Sequence, residues 1–159
     1  MAAPIAVLPE PCNCQAVRAA ARHVTQFYDQ CLAPSGLRTS QFTILAKLRR
    51  SGPLTINALA DLMVMDRTTL GRNVLPLQRD GLIRIAPAAA DQRAKQLSLT
   101  KEGEQRLRAA AKLWFAAQAR FDRVFGARRA KDLRALMAEV VTSDFAAPDQ
   151  TKPAAHSGH

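Results

Sequence analysis

Apolar residues recur along most of this chain at helical spacing, with one short stretch of strict alternation in the middle. Val17, Ala20, Ala21, Val24, Phe27, Tyr28 and Cys31 fall three or four residues apart. They predict a helix from about Cys14 to Leu32, ended by Pro34-Ser35-Gly36. Phe42, Leu45, Ala46 and Leu48 form the inner side of a second helix, capped by Thr39 or Ser40 and stopped at Gly52-Pro53. Thr55 caps a short third helix whose Ile56, Leu59, Ala60 and Met63 are spaced for burial. Asp66 is the natural N-cap of a fourth helix running to about Asp80, with Gly81 placed to terminate it. Leu70, Val74 and Leu77 share one face of that helix; Thr68, Arg72 and Arg79 lie opposite, flanked by Thr69 and Gly71. Pro76 withdraws the amide that would bond the Arg72 carbonyl, which predicts a bend there, with an end near Leu75 as the alternative.

Beyond Gly81 the period changes. Leu82, Ile83 and Ile85 form one β-prone run, and Leu97 and Leu99 alternate with Gln96 and Ser98 in a second. Between them Pro87 to Ala94 reads as an irregular tip that carries Asp91 and Arg93. Thr100 then caps a long helix, with Glu102 and Glu104 complementing its dipole and Leu107, Ala111, Trp114, Gln118, Phe121 and Phe125 as its stripe. Gly126 separates it from a sixth helix with Leu133, Leu136, Met137, Val140 and Val141. The predicted class is mainly α with a small β-hairpin wing. Residues 12–145 form the domain, between a proline-rich arm (1–11) and a Pro-, Ala- and Ser-rich tail (146–159), both expected to be disordered.

Charge narrows the partner. Lys and Arg total 23 against 13 acidic residues, a net +10, and such a surplus serves phosphate contacts that release condensed counterions. Between Arg49 and Lys95 eight basic residues face four acidic ones, so the surplus is spread along the chain and position has to decide. An outward face of threonine and arginine on a short helix suits a major groove, where arginine pairs with guanine edges and threonine meets phosphates or thymine methyls. A hairpin projecting arginine directly behind it suits a DNA-binding wing.

Other chemistries find no support. GxSxG, HExxH, P-loop and GxGxxG motifs are absent, and no catalytic carboxylate pair stands out. Three cysteines imply no disulfide framework: Cys12 and Cys14 form a lone CxC, and Cys31 stands apart. With only His23, His156 and His159 available, no zinc pattern of accepted spacing can be built, and no metal or cofactor is expected. No apolar run approaches the roughly 20 residues of a membrane span, and the N-terminus lacks a basic n-region and is broken by Pro4 and Pro9. A soluble cytoplasmic protein is expected.

The order helix, helix, helix-turn-helix, β-hairpin, two long helices resembles the MarR family of winged-helix transcriptional regulators over roughly residues 14–145. DQRAKQLSLTKEG, Asp91 to Gly103, looks like the family's wing signature; LTINALADLMVMDRTTLGRNVLPLQRDGLI, Leu54 to Ile83, and GLRTSQFTIL, Gly36 to Leu45, match in order. The resemblance implies a homodimer on a pseudo-palindromic duplex, with the winged helix over about 37–100 and dimerisation helices over about 12–33 and 101–145. The helix from Asp66 to Asp80 would enter the major groove. Arg67, Thr68, Thr69, Arg72 and Asn73 stand at matching contact positions, and Ser40 and Lys95 at phosphate positions. Arg93 would enter the minor groove, while Asp91 pairs within the loop.

The family divides into ligand-responsive and thiol-responsive members. The first kind, a repressor released by a small aromatic or related organic ligand, points to His23, Phe27, Tyr28, Phe42 and Trp114. The second points to Cys12 and Cys14, because the start of a helix favours a thiolate; the tyrosine pair of the family's oxidant sensors has no identified match. A soft metal ion held by the CxC pair with Cys31 stays open as a further possibility. An architectural nucleic-acid-binding protein is the non-regulatory alternative, and it predicts little sequence discrimination.

Overall fold

The computed structural model describes residues 12–89 and 91–145; the expected arm over 1–11 and tail over 146–159 lie outside the described residues. Helix α1 spans Asn13–Leu32 and runs through a 3₁₀ turn, Ala33–Ser35, towards α2, Thr39–Ser51. There follow β1 (Leu54–Thr55), α3 (Ile56–Met63), α4 (Arg67–Arg79), β2 (Ile83–Pro87), β3 (Lys95–Leu99), α5 (Lys101–Phe125) and α6 (Ala127–Thr142). The fold is the expected winged helix-turn-helix. Its chain divides within α5 into two units, residues 1–118 and 119–159.

In the first unit a leucine-rich core gathers one face from each element. Leu32, Ile44, Leu45, Leu59, Leu70 and Leu97 are fully buried, with Val74 and Leu77 beside them. Each such leucine contributes about 1.5–3 kcal/mol relative to an exposed one. The predicted faces of the second, third and fourth helices are those that meet here. The ends of the helices follow local chemistry. Thr55 Oγ1 accepts the Ala58 amide at 3.2 Å, and Asp66 Oδ1 accepts the Thr69 amide at 2.8 Å, so α3 and α4 are capped as expected.

The cap of α2 differs from expectation. Thr39 and Ser40 both lie inside the helix, and Arg38 is the capping position. Gln41 Oε1 reaches back to the Arg38 amide at 2.9 Å, while Asp29 of α1 accepts the Thr39 amide at 2.7 Å. A residue ten positions upstream thus does the work assigned to a local hydroxyl. Helix α4 continues through Pro76 to Arg79, so the early end near Leu75 is not adopted; the Asp80 amide bonds the Pro76 carbonyl at 2.9 Å. Gly81, at φ +71°, closes the helix, with the Leu82 amide returning to the Leu77 carbonyl at 2.9 Å.

The sheet has three strands in the order β1-β3-β2, all antiparallel. Ile83 pairs with Leu99, Ile85 with Leu97 and Pro87 with Lys95, so Pro87 belongs to a strand and not to the tip. It is tolerated because β2 is an edge strand, where a missing amide breaks no ladder. The two-residue β1, pairing Leu54 with Leu97 and Thr55 with Gln96, is too short to show a period and was absent from the sequence pattern.

The second unit contains the end of α5 and α6. Phe121 and Phe125 pack ring to ring at 5.5 Å, and the Arg129 guanidinium lies 4.4 Å over the Phe125 ring. Ala130 is buried, whereas Leu136, Met137, Val140 and Val141 of the predicted apolar stripe are exposed.

Candidate nucleic-acid interface

Helix α4 is held on one side and open on the other. Its buried residues, Leu70, Val74 and Leu77, fix the inner face, while Arg67, Thr68, Arg72 and Arg79 are exposed. Polar bonds order its first turns and, through Asn73, tie it to α2. Asp66 accepts both the amide and the hydroxyl of Thr69, the latter at 2.6 Å through Oδ2. Asn73 Nδ2 donates to the Thr69 carbonyl at 2.9 Å, and Asn73 Oδ1 accepts the Ser40 hydroxyl of α2 at 2.7 Å. The Thr69 hydroxyl and then its amide hold the Asp66 carboxyl below the usual aspartate range.

Among the sequence-predicted contact residues this sorts two groups. Arg67, Thr68 and Arg72 project from the helix. Ser40, Thr69 and Asn73 are bonded to one another's neighbourhood and tie α4 to α2.

The wing is closed on itself. Asp91 Oδ1 accepts the Arg93 amide at 2.9 Å, the Ala94 amide donates to the Asp91 carbonyl at 3.0 Å, and the Ala88 amide to the Ala94 carbonyl at 2.7 Å. Asp91 therefore orients the backbone that carries Arg93, and the side chains of Arg93 and Lys95 are exposed. The pattern assigns no role to Leu75 or Arg84, which are also exposed on α4 and β2. For Arg84 the available signal was its alternating place between Ile83 and Ile85.

One residue joins α4 and the wing. Thr100 Oγ1 donates to the Gly81 carbonyl at 2.7 Å and accepts the Gly103 amide at 3.0 Å, and the Thr100 amide donates to the Leu82 carbonyl at 3.1 Å. The end of α4, the root of the wing and the start of α5 meet at that hydroxyl. Next to Gly103 on α5, Glu104 bridges Arg49 of α2 at 2.9 Å and Arg108 at 2.7 Å. The Arg108 hydrogen bond, and next the charge of Arg49, lower its carboxyl below the ordinary value.

The aromatic candidates are built into the packing between α1, α2 and α5. Tyr28 donates its hydroxyl to Gln118, and Phe27 lies edge-on against its ring at 5.1 Å. Trp114 stacks on Phe42 at 5.9 Å and meets Phe115 edge-on at 5.0 Å. Tyr28 and Phe42 are buried, and His23 is exposed.

Cys12 occupies the N-cap position of α1, and both it and Cys14 are exposed. Cys31 lies 17 residues beyond Cys14 on the same helix, roughly 25 Å at 1.5 Å per residue, so one chain cannot gather all three thiols. Among the described residues no group of three His, Cys, Asp or Glu side chains is arranged to hold a metal ion.

Residues 35–94, from the turn after α1 to the tip of the wing, match the MarR family model. An HTH-type transcriptional regulator of Bacillus anthracis is 31% identical over 116 residues, 72% of this chain and 77% of its own length. The chain belongs to the MarR family of DNA-binding transcriptional regulators. As a MarR-family regulator it is not an enzyme. The HTH-type regulator YwoH of Bacillus subtilis (strain 168) is 29% identical over 90 residues, 57% of this chain; the match spans 65% of that relative's length. The crystal structure of the M. tuberculosis transcriptional regulator MosR in complex with DNA superposes with a TM-score of 0.70 at 38% identity, covering 84% of this chain and 100% of that one. Among the described residues of this MarR-family chain, no helix is long and apolar enough to cross a membrane.

Proposed function

We propose that this chain is a homodimeric repressor that reads a pseudo-palindromic duplex, with α4 in the major groove and the wing in the minor groove. The observation that carries the reading is the division of labour on α4 and the wing. Thr68 and Arg72 project from a helix whose rotation is held by its buried face of Leu70, Val74 and Leu77 and by the Ser40–Asn73 bond, and Arg93 projects from a loop closed by Asp91. Such a pre-set face loses little side-chain and backbone freedom on docking. Two arginine-bearing elements then report different properties, base edges for α4 and groove width with its negative potential for Arg93. A repressor of this kind works in the cytoplasm, where its operator lies.

Dimerisation is supported by apolar surface on the first and last helices. Val17 on α1 is 43% exposed, and Leu136 and Val141 on α6 are 56% and 59% exposed. One wing and one helix read few base pairs, and a two-fold pair doubles the site.

The effector in this reading is a small aromatic or related organic ligand bound at the Tyr28, Phe42 and Trp114 packing between α1, α2 and α5, where a ring could replace a ring. A second reading is supported by the exposure of Cys12 and Cys14 at the start of α1, where both thiols are open to an oxidant. Peroxide release abolished by Cys12→Ser with Cys14→Ser favours the thiol trigger; release by an organic ligand in that same variant favours the pocket.

The test of the core reading is fluorescence anisotropy on a palindromic duplex and on scrambled DNA across a salt series. The palindrome is expected to bind more tightly at every salt. Arg93→Ala is expected to weaken binding and reduce the salt slope by about 1, with the dimer intact. Equal affinity for both duplexes at all salts would sink the regulator reading in favour of an architectural one.

A further inference from the structure

Gly71 stands in the middle of α4 with no reason inside the chain to be glycine. Its backbone is helical, since it is absent from the positive-φ residues, and a Cβ added there meets nothing within 4 Å. Glycine is the weakest helix former after proline, so the residue weakens α4 and returns no packing. Three and four residues away on the helix surface lie Thr68, Arg67 and Leu75. Leu75 is 64% exposed and, at 3.6 residues per turn, points within roughly 20° of Thr68. The face offered to the duplex therefore holds an apolar strip, a bare backbone followed one turn later by a leucine, edged by the cations Arg67 and Arg72.

We infer that Gly71 and Leu75 form a steric and apolar reader of the operator. The inference rests on the DNA-binding reading above and adds what this part of α4 recognises. Neither Gly71 nor Leu75 offers a side-chain donor or acceptor, so these two positions cannot read hydrogen-bonding edges as Thr68 beside them can. The apolar group that a base pair presents in the major groove is the thymine C5-methyl. Gly71 lets the backbone of α4 come close enough that any Cβ would collide with the duplex, and Leu75 covers one thymine methyl per half-site. The exposure of a leucine and the cost of a mid-helix glycine then have one common cause.

The experiment selects a duplex from a random-sequence pool with the full chain, then replaces each thymine by uracil, which removes only the methyl. At one thymine per half-site the replacement is expected to weaken wild-type binding about fourfold, the equivalent of about 0.8 kcal/mol for a methyl-sized group. Leu75→Ala is expected to bind thymine and uracil duplexes equally. Gly71→Ala is expected to raise the melting temperature and yet lower affinity for the selected duplex at least tenfold, a divergence that misfolding cannot produce. Wild-type affinity in Gly71→Ala, or a uracil penalty that survives in Leu75→Ala, overturns the inference and leaves the regulator reading standing. A pool from which nothing is enriched overturns both.

Discussion

Gly103→Ala sets two physical arguments against each other with opposite signs. Gly103 is the third residue of α5, and by helix propensity alone alanine there would stabilise the fold by about 1 kcal/mol. Packing says otherwise. An alanine Cβ would fall 2.0 Å from the Leu82 carbonyl oxygen, 2.9 Å from its carbon and 2.9 Å from Leu99 Cδ1. An ordinary carbon–oxygen contact is about 3.3 Å, so backbone must give way by about 1.3 Å. The Leu82 carbonyl cannot move freely, because it accepts the Thr100 amide at 3.1 Å and its residue is 1% exposed. Overpacking of this kind costs about 1–3 kcal/mol and the strained hydrogen bond about 1 more. After the propensity gain, a net loss of about 2 kcal/mol is expected, a fall in Tm of about 4–8 °C for a chain of this size. Urea unfolding followed by the chain's single tryptophan, Trp114, reports the unit that holds the contact. Stability equal to or above wild type would refute the close approach of α5 to the root of the wing.

Val64→Gly tests backbone strain: Val64 caps α3 at φ +52°, a left-handed conformation that costs a β-branched residue about 1–2 kcal/mol, and its side chain is 70% exposed. Thermal unfolding is expected to show a gain of about 1 kcal/mol; a loss would mean the exposed valine packs in solution. Asp66 should tie the order of α4 to pH. Its carboxyl is held below the ordinary value of 3.8, so its stabilisation is present above the unfolded pKa and lost as the pH falls through the lower folded one. The Thr69 amide resonance is expected to hold steady from neutral pH down to about 4 and to shift below it, and to lose that step in Asp66→Asn. Thr39→Val tests a buried hydroxyl with no hydrogen-bond partner among the described residues; it is expected to be neutral or stabilising by about 1 kcal/mol in urea unfolding, and a clear loss would reveal a partner.

Most of the fold was legible because its signals are local. Asp66, Thr55 and Thr100 cap the helices they precede, and Gly81 ends α4 through a conformation that glycine adopts cheaply. What escaped depends on distant partners or on elements too short for a period. Arg38 is not a capping hydroxyl, and α2 is started by Gln41 reaching back to its amide together with Asp29 from another helix. Strand β1 has only two residues and exists because Leu97 pairs with Leu54. Gly103 looked like part of a motif; only the position of Leu82 against it gives the glycine a physical reason.

The candidate interface shows the same boundary at the level of side chains. A helical wheel puts a residue on a face, and it cannot say whether the polar group there is spoken for. Thr68 and Arg72 keep their outward place, and Arg67, which the resemblance supplied, is exposed as well. Ser40 and Asn73 meet each other at 2.7 Å across 33 positions of sequence, a bond that no spacing rule contains. Their bond ties α4 to α2. The Asn73–Thr69 and Thr69–Asp66 bonds order α4 internally, while the Ser40–Asn73 bond and the buried Leu70, Val74 and Leu77 set its rotation against the rest of the unit. Breaking the Ser40–Asn73 bond would therefore act on the orientation of Thr68 and Arg72 together, while the loss of either projecting residue removes one contact and leaves the helix where it is.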